Sequence, residues 1–147
     1  MLEKTFVMIK PDHVELSDRI LDDLDRYAKR ITSVRVDAVP REIIEDHYSC
    51  HKGKPFFGFM TDSFVGRPVV LAVYEGENII RRFMDIIGPT DPSKAPPYTI
   101  RGKYSNDSLE IALSEKRPVR NVAHRSDSSP EFARESYVWR DYLDIDY

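Results

Sequence analysis

Asn121-Val122-Ala123-His124-Arg125-Ser126-Asp127-Ser128 sets one histidine among short polar side chains, between an apolar run and a segment that opens a helix. A free imidazole is largely unprotonated at neutral pH, so it is a competent nucleophile once a neighbour fixes which ring nitrogen is exposed. A carboxylate is the natural neighbour, and Glu135 is a candidate: counted from a cap near Ser128, it lies about two turns into the following helix, where it could face back toward the strand end. Read alone, the same residues also describe a surface or structural histidine followed by serines that merely cap a helix. Lys10 and Arg101, taken singly, are solvated cations by the same standard.

A strand must deliver His124 and a helix must deliver Glu135. Residues 119–123 are the strand candidate, and Ser128-Ser129-Pro130-Glu131 combines a capping box with proline near the first helical position, opening a helix toward Trp139. Upstream, residues 5–9 form a short apolar, β-prone run. Ser17 offers an N-cap to a helix with Ile20, Leu21, Leu24, Tyr27 and Ala28 on one face. Val34, Val36 and Ala38 alternate with Arg35 and Asp37 as in a half-buried strand, and Pro40 ends the run. Residues 42–51 and 55–64 read as helices, 68–74 as a strand buried on both faces, and 77–87 as a helix that stops at Gly88. The Pro/Gly-dense residues 88–97 read as a long functional loop. The order β-α-β-β-α-β with extra helices predicts an α+β, ferredoxin-like βαββαβ sandwich: a four-stranded antiparallel sheet with helices on its faces.

A chain of 147 residues is the size of one domain, here spanning 1–147, and buries a substantial core without disulfides or structural metal. Its 22 basic and 25 acidic residues give a net charge of -3, so broad nucleic-acid binding through phosphate neutralisation is not indicated. No segment reads as a signal peptide or membrane span. A lone cysteine, Cys50, fits a reducing cytoplasm. His47, Cys50 and His51 could bring three metal ligands to one helix face. Structural zinc usually takes four, and no second Cys/His pair is suitably spaced, so a helix surface is the better account.

Asn121-x-x-His124 followed by x-Ser126-Asp127-Ser128 resembles the active-site signature of nucleoside diphosphate kinases. Lys4-Thr5-Phe6 with Ile9-Lys10-Pro11-Asp12 resembles that family's first strand. His47-Tyr48 with Lys54-Pro55-Phe56-Phe57 resembles its nucleotide-binding helices, and Thr99-Ile100-Arg101-Gly102 its phosphate loop. The similarity covers residues 4–139. It implies ping-pong transfer of a γ-phosphoryl group from a nucleoside triphosphate to a nucleoside diphosphate through a phosphohistidine on His124, with Glu135 as the histidine's carboxylate partner. Lys10, Tyr48, Arg101 and Asn121 then match residues that contact phosphates, ribose hydroxyl or the catalytic histidine, and Thr90 matches a phosphate contact. Phe56 matches the aromatic under the base, where stacking tolerates every nucleobase. The resemblance also implies Mg²⁺ held mainly by nucleotide phosphates rather than by protein side chains, and a homo-oligomer, commonly a hexamer or tetramer built from dimers. Such a site is physically sensible, because phosphoryl transfer needs positioning and charge neutralisation more than covalent assistance.

Four features depart from the family pattern. Met84 stands where relatives usually carry a phosphate-contacting arginine, which leaves Arg81, one helical turn away, and Arg125 as possible compensating cations. Arg125 itself replaces the glycine after the catalytic histidine. His13 replaces the glycine of the usual Lys-Pro-Asp-Gly turn. An insertion around 104–118 contains Leu109, Ile111, Ala112 and Leu113, which predict an added helix over 108–116 at the pocket rim. A rival reading is a nucleotide-binding regulatory module with reduced or no turnover. The intact set of Lys10, Tyr48, Arg101, Asn121, His124 and Glu135 argues against it, since a binder has no need of a carboxylate-oriented histidine.

Overall fold

Strands β1 (Leu2–Ile9), β2 (Lys29–Val36), β3 (Val69–Glu77) and β4 (Ala123–Arg125) form one antiparallel sheet in the order β2-β3-β1-β4 in the computed structural model, which describes residues 1–145. Residues 146 and 147 of the expected domain lie outside the described residues.

Side chains alternate across β1, and both faces are buried. Val7 and Ile9 pack with Ile20, Leu21 and Leu24 of α1 (Ser17–Asp25) and with Ile79, Phe83 and Ile87 of α4 (Ile79–Ile87). Phe6 and Met8 pack on the opposite face with Ile44 of α2 (Arg41–His47) and with Trp139, just past α7 (Ser129–Val138). Double-sided burial is why β1 and β3 read as apolar runs rather than alternating ones. Each large side chain so removed from water stabilises the fold by about 1.5–3 kcal/mol. The sandwich is therefore the α+β arrangement expected, and none of its described helices is long and apolar enough to cross a membrane.

Several boundaries move. Ser17 is not a cap: a 3-10 turn over Pro11–Leu16 runs straight into α1, with Leu16 at the cap position. His13 donates its backbone N–H to Lys10 O within that turn, so a non-glycine residue is accommodated there. β2 begins at Lys29 rather than Val34, and Ala38 is exposed beyond its end. The register against β3 slips between Arg30 and Thr32, and such a bulge erases the period-two signal. α2 stops at His47 and a 3-10 turn covers Ser49–His51, while α3 occupies Phe57–Asp62. The loop after Gly88, whose φ is +100°, holds a 3-10 turn at Pro92–Lys94 capped by Asp91.

Thr99 to Gly102 is not a loop. Thr99 Oγ1 accepts a hydrogen bond from Gly102 N at 3.0 Å and so caps α5 (Ile100–Tyr104). A Cβ on Gly102 would stand 2.0 Å from Pro96 O, so the closeness of two backbones demands glycine there. The insertion carries α6 (Leu109–Ser114) inside the expected 108–116, and Arg117 ties it down through two hydrogen bonds to Asp107 at 2.7 and 2.9 Å. Ser128 caps α7 by accepting from Glu131 N at 3.2 Å, but the Glu131 carboxylate turns to Arg134, so the capping box is half made.

Candidate active site

β4 starts where the sequence expectation ended it, because the backbone turns sharply just before. Ala123 N donates to Asn121 O at 2.9 Å, closing a γ-turn around Val122, whose φ is +76°. A β-branched residue in this region is strained, and it persists only where its surroundings hold it. Three things hold this one: Val122 is fully buried in the core, Lys10 N donates to Val122 O at 2.9 Å, and Arg101 grips both flanking carbonyls. Arg101 donates from Nε to Asn121 O at 3.0 Å, from Nη2 to Ala123 O at 2.7 Å and from Nη1 to Gly88 O at 2.8 Å. The turn aims Asn121 and His124 into one cavity.

That cavity, about 530 Å³, is large enough for a nucleotide. Lys10, Tyr48, Phe56, Thr90, Arg101, Asn121, His124 and Glu135 all line it. Lys10 Nζ donates to Asn121 Oδ1 at 2.6 Å, and Asn121 Nδ2 donates to Thr90 O at 3.0 Å, which fixes the lysine beside the histidine's strand. Of the Phe-Phe pair, Phe56 faces the cavity and Phe57 packs on the core. Leu109, Ala112 and Leu113 of α6 form part of the wall, so the inserted helix does border the pocket. Arg125 lines it as well. Met84 and Arg81 do not, and the Arg81 side chain is 81% exposed beside Asp85.

His124 opposes Met8 in the ladder and keeps 19% of its side chain exposed. Its Nε2 meets Glu135 Oε2, and Ser126 Oγ donates to Glu135 Oε1 at 2.8 Å. Ser126 is itself pinned by Phe6 N, which donates to its Oγ at 3.1 Å. With the carboxylate accepting from Nε2–H, Nδ1 is the lone-pair nitrogen, and it has no hydrogen bond among the described residues. Ser126 and His47 belong to this constellation, although neither was tied to Glu135 from the sequence: Ser126 stood in the signature after His124 or in a helix cap, and His47 beside Tyr48 in a nucleotide-binding segment, its use as a metal ligand set aside. His47, Cys50 and His51 do not converge; the only cluster with ligand geometry among the described residues is His47, His124 and Glu135.

Burial, then the nearby Lys10 and Arg101 cations, hold the His124 pKa down to about 3, so its imidazole is neutral at every ordinary pH. Burial raises Glu135, countered first by His47 and then by the Ser126 hydrogen bond. Burial and then Arg101 bring Lys10 down to about 7, and burial and then Arg125 bring Arg101 down to about 10. Positive groups crowded this way call for an anion. A phosphate beside Lys10 would restore its pKa, so nucleotide binding should take up a proton near and above pH 7. Affinity should then fall as pH rises through and beyond about 7, where the free site loses the lysine charge and the loaded site would keep it. Calorimetric titration of ADP in buffers of different ionisation enthalpy measures that uptake; none at pH 8 would remove Lys10 from the phosphate site.

A four-stranded sandwich whose cation-lined cavity surrounds a carboxylate-held imidazole has the outline of a histidine-dependent phosphotransferase. The chain belongs to the nucleoside diphosphate kinase family, whose model, "Nucleoside diphosphate kinase", matches residues 3–144. A nucleoside diphosphate kinase of Archaeoglobus fulgidus is 38% identical over 136 residues, 91% of this chain and 83% of that one. Among solved structures, the Borrelia burgdorferi nucleoside diphosphate kinase superposes with a TM-score of 0.88 over 99% of this chain and 93% of that one; at 24% identity it bears on the fold. The Halobacterium salinarum nucleoside diphosphate kinase, solved in complex with CDP, is 30% identical, with a TM-score of 0.79 and coverage of 100% and 95%.

Proposed function

We propose that this nucleoside diphosphate kinase works through His124 Nδ1, which attacks the γ-phosphorus of a bound nucleoside triphosphate. The Nδ1–P bond forms as the bond from phosphorus to the bridging oxygen breaks, and the electron pair leaves with the β-phosphate of the departing diphosphate. Nε2 keeps its proton throughout, held by Glu135. A second nucleoside diphosphate then attacks the phosphohistidine with its terminal oxygen and returns the lone pair to Nδ1. The observation that carries this reading is an imidazole tied at Nε2 by a buried carboxylate, its other nitrogen free in a cavity that Lys10 and Arg101 also line. No comparable role for Glu135 exists in a binding module without turnover.

Lys10, Arg101 and Arg125 offset the charge on the transferred group, Thr90 and Asn121 orient it, Tyr48 packs edge-on to the His124 ring with centroids 5.9 Å apart, and Phe56 meets the base. Mg²⁺ enters with the nucleotide as part of the substrate. Of the carboxylates lining the cavity, Asp12 is paired with Arg67, Asp127 with Arg125 and Glu131 with Arg134, and Glu135 with the histidine, so the phosphates are its main ligands. Residues 1–147 act as one domain in a reducing cytoplasm, where the exposed thiol of Cys50 stays free, and assemble as a homo-oligomer. The edge position of β2 favours that assembly, since an edge strand offers an unpaired ladder to a second copy.

Arg125 is the compensating cation for Met84. It lines the cavity with its side chain 13% exposed, and its Nε is buried without a partner among the described residues. Loss of one charged hydrogen bond to phosphate, worth about 1.5–3 kcal/mol, predicts a fall of roughly ten- to a hundredfold in kcat/KM for Arg125→Ala. Arg81→Ala should leave the rate unchanged, and equal rates for Arg125→Ala and the unaltered protein would remove Arg125 from the role. The function itself is tested by incubating the protein with Mg²⁺ and γ-labelled ATP, then chasing with several nucleoside diphosphates. An acid-labile, base-stable label on His124 that moves to each acceptor is expected; no label at all defeats the reading.

A further inference from the structure

Behind His124 lies a second imidazole that the reaction above leaves unused. The His47 ring, 1% exposed at the end of α2, stands edge-on to His124 with centroids 4.5 Å apart and planes at 79°. Trp139 Nε1 donates to His47 Nδ1 at 3.0 Å. An indole N–H only donates, so Nδ1 must be the lone-pair nitrogen and, in a neutral ring, the proton sits on Nε2. That Nε2 is buried with no hydrogen-bond partner among the described residues, and it lies 4.0 Å from Glu135 Oε2, the oxygen that also takes His124. Arg134 fixes the backbone here, donating to His47 O at 2.8 Å and Asp46 O at 3.0 Å.

His47, His124 and Glu135 have the spacing of a three-ligand metal site. The indole excludes that use, because a metal on Nε2 would move the ring proton to Nδ1, against the Trp139 N–H. A donor facing a carboxylate is what remains. We propose that His47 is a positioning residue for phosphoryl transfer: locked by Trp139 into its Nε2–H tautomer, it presents a fixed N–H dipole to Glu135 and keeps that carboxylate charged and aimed at His124. Its neutrality matters as much as its proton. Once Nδ1 of His124 binds phosphorus, the ring carries positive charge, and a cationic imidazole at this distance would oppose it, whereas a neutral donor supports the anion between them. Burial, followed by the neighbouring His124, holds His47 well below the usual histidine range.

This inference rests on the phosphohistidine reading, and the experiment separates the two. If unaltered protein forms no label from γ-labelled ATP, that reading fails. If it does, His47→Phe should slow labelling roughly ten- to a hundredfold, the usual effect of losing an oriented partner behind a reactive group, with KM for the nucleotide unchanged. His47→Gln, whose amide can accept from Trp139 and donate to Glu135, should recover most of the rate, and Trp139→Phe should lose part of it. In the long-range proton–nitrogen NMR spectrum of nitrogen-labelled protein, His47 should appear as the Nε2–H tautomer. An Nδ1–H or doubly protonated ring overturns the proposal, as does stoichiometric Zn²⁺ binding that needs His47, or a folded His47→Phe that is labelled at the original rate. Should His47→Phe fail to fold, the glutamine variant, Trp139→Phe and the spectrum decide: a full rate in Trp139→Phe, or a glutamine variant that folds but is slowed roughly tenfold or more relative to the unaltered protein, counts against it.

Discussion

His124→Asn is expected to form no phosphoenzyme and to lose at least about four orders of magnitude in turnover, on the scale seen when an enzyme's nucleophile is removed. Nothing nearby substitutes for it. The lone pair of His47 Nδ1 is taken by Trp139, its Nε2 is buried 4.0 Å from Glu135 Oε2, and the Nδ1 of His51 faces Lys54 at 3.0 Å. Asparagine still offers a donor toward Glu135, so the variant should fold and bind ADP with the affinity of the unaltered protein. Single-turnover labelling with γ-labelled ATP, beside a binding titration, checks both halves. Residual ping-pong exchange above one part in a thousand would mean that a second nucleophile operates.

Arg101→Met should be the most destabilising single change in the site, by about 3–5 kcal/mol, a large share of the roughly 5–15 kcal/mol that holds a domain together. Arg101 is 5% exposed, and its three nitrogens each serve a carbonyl, those of Asn121, Gly88 and Ala123. Methionine keeps most of the volume but leaves those acceptors buried and unpaired, and hydrogen bonds from a charged donor contribute more than ordinary ones. It also releases the strained turn at Val122. Arg101→Lys should recover only part of the loss, since a single ammonium cannot reach three carbonyls in the guanidinium's fork geometry. Urea unfolding measures the difference. Unchanged stability with a raised KM would make Arg101 a phosphate ligand and nothing more.

How far the sequence foretold this can be traced residue by residue. α1 and α4 were legible because one-sided burial leaves a helical periodicity, β1 and β3 because burial on both faces leaves a continuous apolar run, and the Ser128 cap announced α7. β4 was misplaced because no local preference puts valine at φ +76°; Lys10 and the guanidinium of Arg101, distant in sequence, impose it. The start of β2 was hidden by a bulge. In the site, His124 and Glu135 stood out as candidates from their places at a strand end and two turns into the next helix, the resemblance added Lys10 and Asn121 and gave all four their roles, and the structure brings them together in one cavity. Ser126 and His47 stood within the matching motifs, but their parts escaped because these depend on what lies opposite them: Ser126 meets Glu135 from the following helix, and His47 meets Trp139 across 92 positions of chain.

The pairing of β4 with β1 has a meaning in time as well as in space. Val7, Met8 and Ile9 find their partners in Arg125, His124 and Ala123, so one edge of the first strand waits for nearly the whole chain before it is covered. Contacts so far apart along the chain form late and slowly. During synthesis, β1 with its apolar Phe6 and Met8 is an open strand edge in need of shielding. The three-residue strand that covers Val7 to Ile9 also carries His124, the proposed nucleophile, so on that proposal catalytic competence and the covering of this stretch of edge arrive in the same event. Binding of nucleotide during refolding should therefore lag the appearance of bulk secondary structure, and no partly folded chain should be an active one.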